Sequence, residues 1–246
     1  RKIPSVFPDK RIFVTEYRNG TMSQPISFRR NEALTTIRQE WKGNPVVKGK
    51  FINQQHHVKH GIGSVLKWRL SPNPQRKEKR REKWNPEIRF LHSLENIKGD
   101  ALVWLGHNSF FMQFGGKKLL FDPVFGHIPF VRRRSNLPVN PRIFKDIDYL
   151  LISHDHFDHL DKKSIALLFS NNSRMKVFCG LGVGELLRSW FPSIQVIEAG
   201  WYQQIEDNGL KITFLPAQHW GKRSFADGGQ RLWGAFMLEK NGLSLY

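Results

Sequence analysis

"YLLISHDHFDHLD", residues 149–161, runs an uninterrupted apolar stretch straight into three histidines and three aspartates packed between Ser153 and Asp161. A short apolar run bounded by polar residues reads as a buried strand over 148–152, which puts the cluster in the loop at that strand's C-terminal end. His154 and His156 stand two apart, so an extended backbone aims both to one side, where they can grip one ion. Asp158 and His159 come next in the turning loop, where their side chains diverge from the first pair and can hold a second ion close by. Imidazole and carboxylate without thiolate suit zinc, iron or manganese and argue against a structural zinc site. Two such ions generate hydroxide at neutral pH and clamp the attacking and leaving oxygens of a displacement, so the spacing predicts a hydrolase.

The sequence around the cluster predicts an α/β arrangement. Asp161 caps a helix from Lys162, and a strand in "MKVFCG" (175–180), a helix in "GVGELLRSWF" (182–191) and a strand in "IQVIEA" (194–199) follow. "LKITFLPAQHW" (210–220) is a further strand whose end carries His219, a candidate to close the coordination. Upstream, "ALVWLGHNSFFMQFGGKKLLFDPVF" (101–125) holds three apolar runs, the last two joined by Gly115-Gly116, and predicts a β-meander at a sheet edge. "RLWGAFMLEK" and "LSLY" predict a last hairpin around Asn241-Gly242.

These words resemble a known family. "SHDHFDHLD" after "YLLI" is similar to the metal-binding signature of the metallo-β-lactamase fold. "WLGHNSFFMQFGGKKLLFDPVF", "PAQHWGKR" and "RLWGAF" resemble the branch of N-acylphosphatidylethanolamine-hydrolysing phospholipases D, with motifs in register over roughly residues 100–246. The resemblance implies an αββα sandwich with metals at one sheet edge. It implies that His154, His156 and His219 hold one metal and that Asp158 and His159 hold the other. Asp158 would also orient a water or hydroxide nucleophile between the two ions. Asp122 in "FDPVF" would be a carboxylate fixing a metal-bound imidazole, and His107 would line the floor of the site. Lys222 and Arg223, just after His219, are candidates to meet a substrate phosphate. The family's later aspartate and final histidine have no counterpart before Tyr246. The expectation is therefore that the C-terminal half of the fold lies outside these residues, and that 1–246 alone is nearly inactive, with an uncovered apolar edge at "LSLY".

Composition sets the outer bounds. A chain of 246 residues with 39% hydrophobic content holds one sizeable core rather than two full domains. The division expected is a basic N-terminal extension over 1–100, carrying one helix in "NEALTTIRQEW" (31–41) opened by Asn31, and a metallo-β-lactamase-like portion over 101–246. The single cysteine, Cys179, excludes an internal disulfide and any Cys-rich zinc finger. A net charge of +18 attracts polyanions, and its densest runs are "KWRLSPNPQRKEKRREKW" (67–84) and "VRRRS" (131–135). Trp68 and Trp84 bracket the first run, as suits a segment resting on a lipid interface. The partners expected are a phospholipid substrate and an anionic membrane surface, with nucleic acid less favoured. The enzymatic alternatives are a lactonase or nuclease on the same fold; the non-enzymatic one is a basic membrane- or nucleic-acid-binding protein. No stretch reaches the roughly 18 consecutive apolar residues of a membrane-spanning helix. A cytoplasmic or peripheral membrane location is the one favoured, and the start at Arg1 leaves room for a signal or anchor upstream.

Overall fold

A computed structural model describes residues 25–54, 62–83, 87–128, 133 and 135–246. "RIFVTEY" (11–17), Trp84 and most of "VRRRS" fall outside them. The chain forms β1 (Ser27–Arg29), β2 (Thr35–Thr36), β3 (Asn44–Val47), β4 (Lys50–Phe51), α1 (Ile62–Leu70) and α2 (Arg76–Arg81). It continues with β5 (Ala101–Gly106), β6 (Ser109–Phe114), β7 (Lys117–Phe121), β8 (Tyr149–Ile152), α3 (Lys162–Asn171), β9 (Lys176–Gly180), α4 (Val183–Trp190) and β10 (Gln195–Ala199). The last strands are β11 (Gln203–Asp207), β12 (Leu210–Leu215), β13 (Ala235–Lys240) and β14 (Leu243–Leu245).

Two sheets carry the fold. One has the order β10-β9-β8-β7-β6-β5 and the other β14-β13-β12-β11-β2. In the first, β7, β8, β9 and β10 run parallel, which is why β8 is buried at every position: strands covered on both faces read as continuous apolar runs. Its side chains alternate between two cores. Tyr149 and Leu151 pack in the inter-sheet core with Phe178, Phe214, Phe236 and Leu238. Leu150 and Ile152 pack with Ile165 and Leu168 of α3 and Val183 and Leu187 of α4 on the outer face. The result is a helix–sheet–sheet sandwich.

The meander β5-β6-β7 forms the expected sheet edge, and its Gly115-Gly116 turn takes positive φ at both residues (58° and 79°), as a two-residue hairpin requires. Asn241-Gly242 does the same (51° and 79°) between β13 and β14. Asp161 caps α3, accepting from the amides of Lys163 and Ser164.

The helix expected over 31–41 does not form. Asn31 is buried; its side chain donates to Glu198 O (2.7 Å), and Gln203 bridges its backbone by accepting from its amide (2.9 Å) and donating to its carbonyl (2.6 Å). Thr35 and Thr36 then pair with Gln204 and Gln203 of β11. The two β-branched threonines favour the pleated surface, and tertiary pairing overrides the amphipathic pattern. Val46 and Phe51 enter the inter-sheet core, so residues 27–51 pack on the sandwich. In α2 no residue is buried, and the neighbouring Trp68 of α1 is 77% exposed.

Candidate metal centre

Four chain segments meet at one end of the sandwich. The Phe121↔Leu151 register of parallel β7 and β8 ends both strands side by side, so Asp122 sits next to Ser153. Asp122 Oδ1 accepts from the Ser153 amide (2.8 Å), and Oδ2 accepts from the Ser153 hydroxyl (2.5 Å) and pairs with His159 Nδ1 (2.7 Å). Antiparallel β12 brings His219 in from the second sheet, and the β5–β6 turn brings His107. Both Asp122 (φ 40°) and His107 (φ 52°) hold a left-handed backbone, a conformation that costs about 1–3 kcal/mol each and clusters at functional sites.

The donor atoms fall into two groups. One ring nitrogen each of His154, His156 and His219 lies within 4.8 Å of the others, and so do donor atoms of His107, Asp158 and His159. In the first group His154 Nε2 faces both His156 Nδ1 (2.9 Å) and His219 Nε2 (3.0 Å), while its Nδ1 is turned back to the Ser153 hydroxyl (2.9 Å). Burial, then the neighbouring imidazoles of His159, His219 and His156, push His154 down to about 2. Burial is also the leading cause that lowers His156 and His219. Three neutral imidazoles with lone pairs aimed at one small volume are the donor set a divalent ion of the zinc class takes.

In the second group Asp158 Oδ2 pairs with His107 Nε2 (2.9 Å) and lies 3.6 Å from His159 Nε2. Burial opposes ionisation of Asp158, yet the His107 hydrogen bond and the His159 charge hold it below the usual carboxylate range. For His159 burial opposes protonation, and the Asp122 hydrogen bond and charge outweigh it, so its pKa is raised. The Asp122 contact also fixes the ring so that Nε2 faces the site. Both groups fit a metal by their chemistry.

The sequence-predicted residues come together. His107 was expected as floor, and its Nε2 lies beside the donor atoms of Asp158 and His159. Arg223 was expected to meet a substrate phosphate, but its Nη1 donates to the carbonyls of Asp155 (2.7 Å) and Leu160 (2.8 Å), and its guanidinium stacks 4.2 Å from the Phe157 ring centroid. Those two bonds brace the histidine loop through one nitrogen of the guanidinium. Lys222 remains exposed, its Nζ over Phe225.

Sequence reasoning missed Ser153, Asn108 (Nδ2 3.0 Å from His159 Nε2) and Asn53, which donates to His219 O (3.0 Å) and accepts from Trp233 Nε1 (3.2 Å). Ser153 lay inside the quoted cluster and could have been found by asking what orients His154. Asn53 carried no signal, because its role depends on the packing of the N-terminal segment. An apolar cavity of about 650 Å³ is lined by residues that include Asn108, Asp122, Ser153, Phe121, Phe236 and Leu245.

A family model described as "Beta-lactamase superfamily domain" matches residues 117–246, just over half the chain. The chain belongs to the β-lactamase superfamily. Among similar proteins, the "N-acyl-phosphatidylethanolamine-hydrolyzing phospholipase D 1" of Caenorhabditis elegans is 32% identical over 154 residues, covering 55% of this chain and 42% of the relative. The "N-acyl-phosphatidylethanolamine-hydrolyzing phospholipase D, mitochondrial" of Saccharomyces cerevisiae is 28% identical over 152 residues, covering 57% of this chain and 31% of the relative. A "UPF0173 metal-dependent hydrolase" of Aeropyrum pernix is 30% identical over 132 residues, covering 48% and 51%. The chain thus covers 31% to 51% of the length of these relatives.

Proposed function

We propose that the protein is a metal-dependent hydrolase with two divalent ions, zinc first and iron or manganese as alternatives, that cleaves a phosphodiester in N-acylphosphatidylethanolamine-like lipids. The observation that carries the reading is the convergence of two donor triplets, His154/His156/His219 and His107/Asp158/His159, at one end of the sandwich. Divalent ions bound there would supply Lewis acidity and lower the pKa of an attacking water. Ser153 and Asp122 turn the lone pairs of His154 and His159 toward the site. Asp158, kept ionised, orients the attacking water by accepting its proton in a hydrogen bond. Lys222, exposed beside His219, meets the substrate phosphate.

The lipid substrate is supported by the names of the relatives from Caenorhabditis elegans and Saccharomyces cerevisiae. The apolar cavity that has Asp122 and Ser153 in its lining supports it too, because an acyl chain needs an apolar lining. The exposed basic run of α2, with Trp68 on α1, supports docking on an anionic membrane. Incubation of the full-length protein with zinc and an N-acylphosphatidylethanolamine, followed by mass spectrometry, should yield an N-acylethanolamine and phosphatidic acid. The net charge of +18 favours a nuclease as the rival. Metal-dependent cleavage of RNA or DNA with no lipid turnover would replace the proposal.

A further inference from the structure

His154 and His219 are 65 positions apart, on loops from different sheets, and their ring nitrogens meet at 3.0 Å. We propose that Asp155 and Arg231, backed by Arg223 and Asp227, are positioning residues that set His219 against His154 and His156 and thereby set the affinity of the three-histidine site for a divalent ion. The inference rests on the reading of that site as a metal site.

Asp155 stands between two candidate ligands, and in an extended chain its side chain leaves on the opposite side from theirs. It points into the protein and is fully buried. Arg231 Nε donates to its Oδ2 at 2.6 Å, and the same guanidinium reaches Asp227 through Nη2. Asp227 Oδ1 accepts from the amides of Arg223 (3.0 Å) and Ser224 (2.7 Å), which fixes the turn that follows His219. Arg223 then closes the circuit by binding the carbonyls of Asp155 and Leu160.

One residue of the histidine loop is therefore gripped twice by the segment that carries His219, once at its side chain and once at its backbone. The neck of that segment is pinned by the Gly229 amide donating to Gly221 O (2.9 Å). Asp155 Oδ1 has no hydrogen-bond partner among the described residues, and Arg231 is the cation hydrogen-bonded to this buried carboxylate, with the Arg223 charge also close enough to act on it. Without Arg231 the segment must shift to admit water or another cation. Tolerance at the junction is small: a Cβ on Gly221 would sit 2.6 Å from Asp155 Oδ1 and 3.0 Å from Arg231 O.

The test uses the full-length protein and reads zinc affinity by competition with a chelating dye, together with amide exchange of the metal-free protein over 153–160 and 219–231. Arg231→Met and the isosteric Asp155→Asn should each weaken zinc binding about 10–100-fold, the usual loss when an outer partner of a ligand is removed. Exchange should rise in both segments together, and Arg231→Lys should recover part of the affinity. His154→Ala gives the reference for a lost ligand. A folded Arg231→Met or Asp155→Asn that binds zinc as tightly as the parent, whatever its melting temperature, would overturn the positioning role alone. A parent that binds zinc no better than His154→Ala would overturn the metal reading itself, and this role with it.

Discussion

Replacing Asp122 with Asn keeps the size of the side chain and a residue that tolerates the left-handed φ of 40°, and removes only the charge. The native carboxylate takes three donors: His159 Nδ1 and the Ser153 hydroxyl on Oδ2, and the Ser153 amide on Oδ1. A hydrogen bond to a charged partner is worth about 1.5–3 kcal/mol and a neutral one about 0.5–1.5, so the His159 contact weakens by about 1–2 kcal/mol. An amide accepts at one end only, so one Ser153 bond goes as well, for a total of about 1.5–3.5 kcal/mol. The loss must depend on pH in a fixed direction. Asp122 helps raise the pKa of His159, and a raised folded pKa gives stabilisation that is fully present below the unfolded value and is lost as pH rises through the folded one. In chelator-treated protein, urea unfolding from about pH 5.5 to about pH 8.5 should show the native–variant gap widest at the acid end, shrinking across the histidine range to the residual neutral bonds. A gap that is constant with pH, or that widens toward alkaline pH, would refute the assignment of His159 and Asp122 as a charged pair.

Phe178→Ala empties a fully buried site in the inter-sheet core and should cost about 3–5 kcal/mol in denaturant unfolding. Tyr149→Phe removes the 2.7 Å bond from the tyrosine hydroxyl to Asp207, the leading cause of that carboxylate's lowered pKa. A depressed carboxylate stabilises above its unfolded pKa and loses that contribution as pH falls through the folded value, so the stability gap between the native protein and Tyr149→Phe should close on acidification. Charge reversal of the exposed Lys79, Arg80 and Arg81 to Glu should weaken co-sedimentation with phosphatidylserine vesicles by at least about a hundredfold at low salt. Binding to purely zwitterionic vesicles should be weak for both proteins.

What the sequence made legible was local. The strand YLLI, the cap at Asp161 and the turns at Gly115-Gly116 and Asn241-Gly242 each depend on neighbours a few residues away, and each formed as read. The grouping of His154, His156 and His219 was reached by resemblance and by the position of each at a strand end. What stayed hidden was tertiary. Residues 31–41 carry a helical pattern, but the buried Asn31 and the pairing of Thr35-Thr36 with β11 decide their structure, and both partners lie more than 160 positions away. β11 itself, "QQIED", has too few apolar residues to announce a strand and forms because β12 and β2 flank it. Arg223 illustrates the same limit within the site: its place after His219 suggests a substrate phosphate, and only the fold reveals that its Nη1 also braces the carbonyls of Asp155 and Leu160.

Metal content, measured by elemental mass spectrometry on purified full-length protein, tests the central claim most directly. The account predicts about two zinc-class ions per chain, about one after His154→Ala, and an unchanged content after His92→Ala, whose exposed histidine lies outside both donor groups. A parent without bound metal, or His154→Ala and His92→Ala both indistinguishable from the parent, would contradict it.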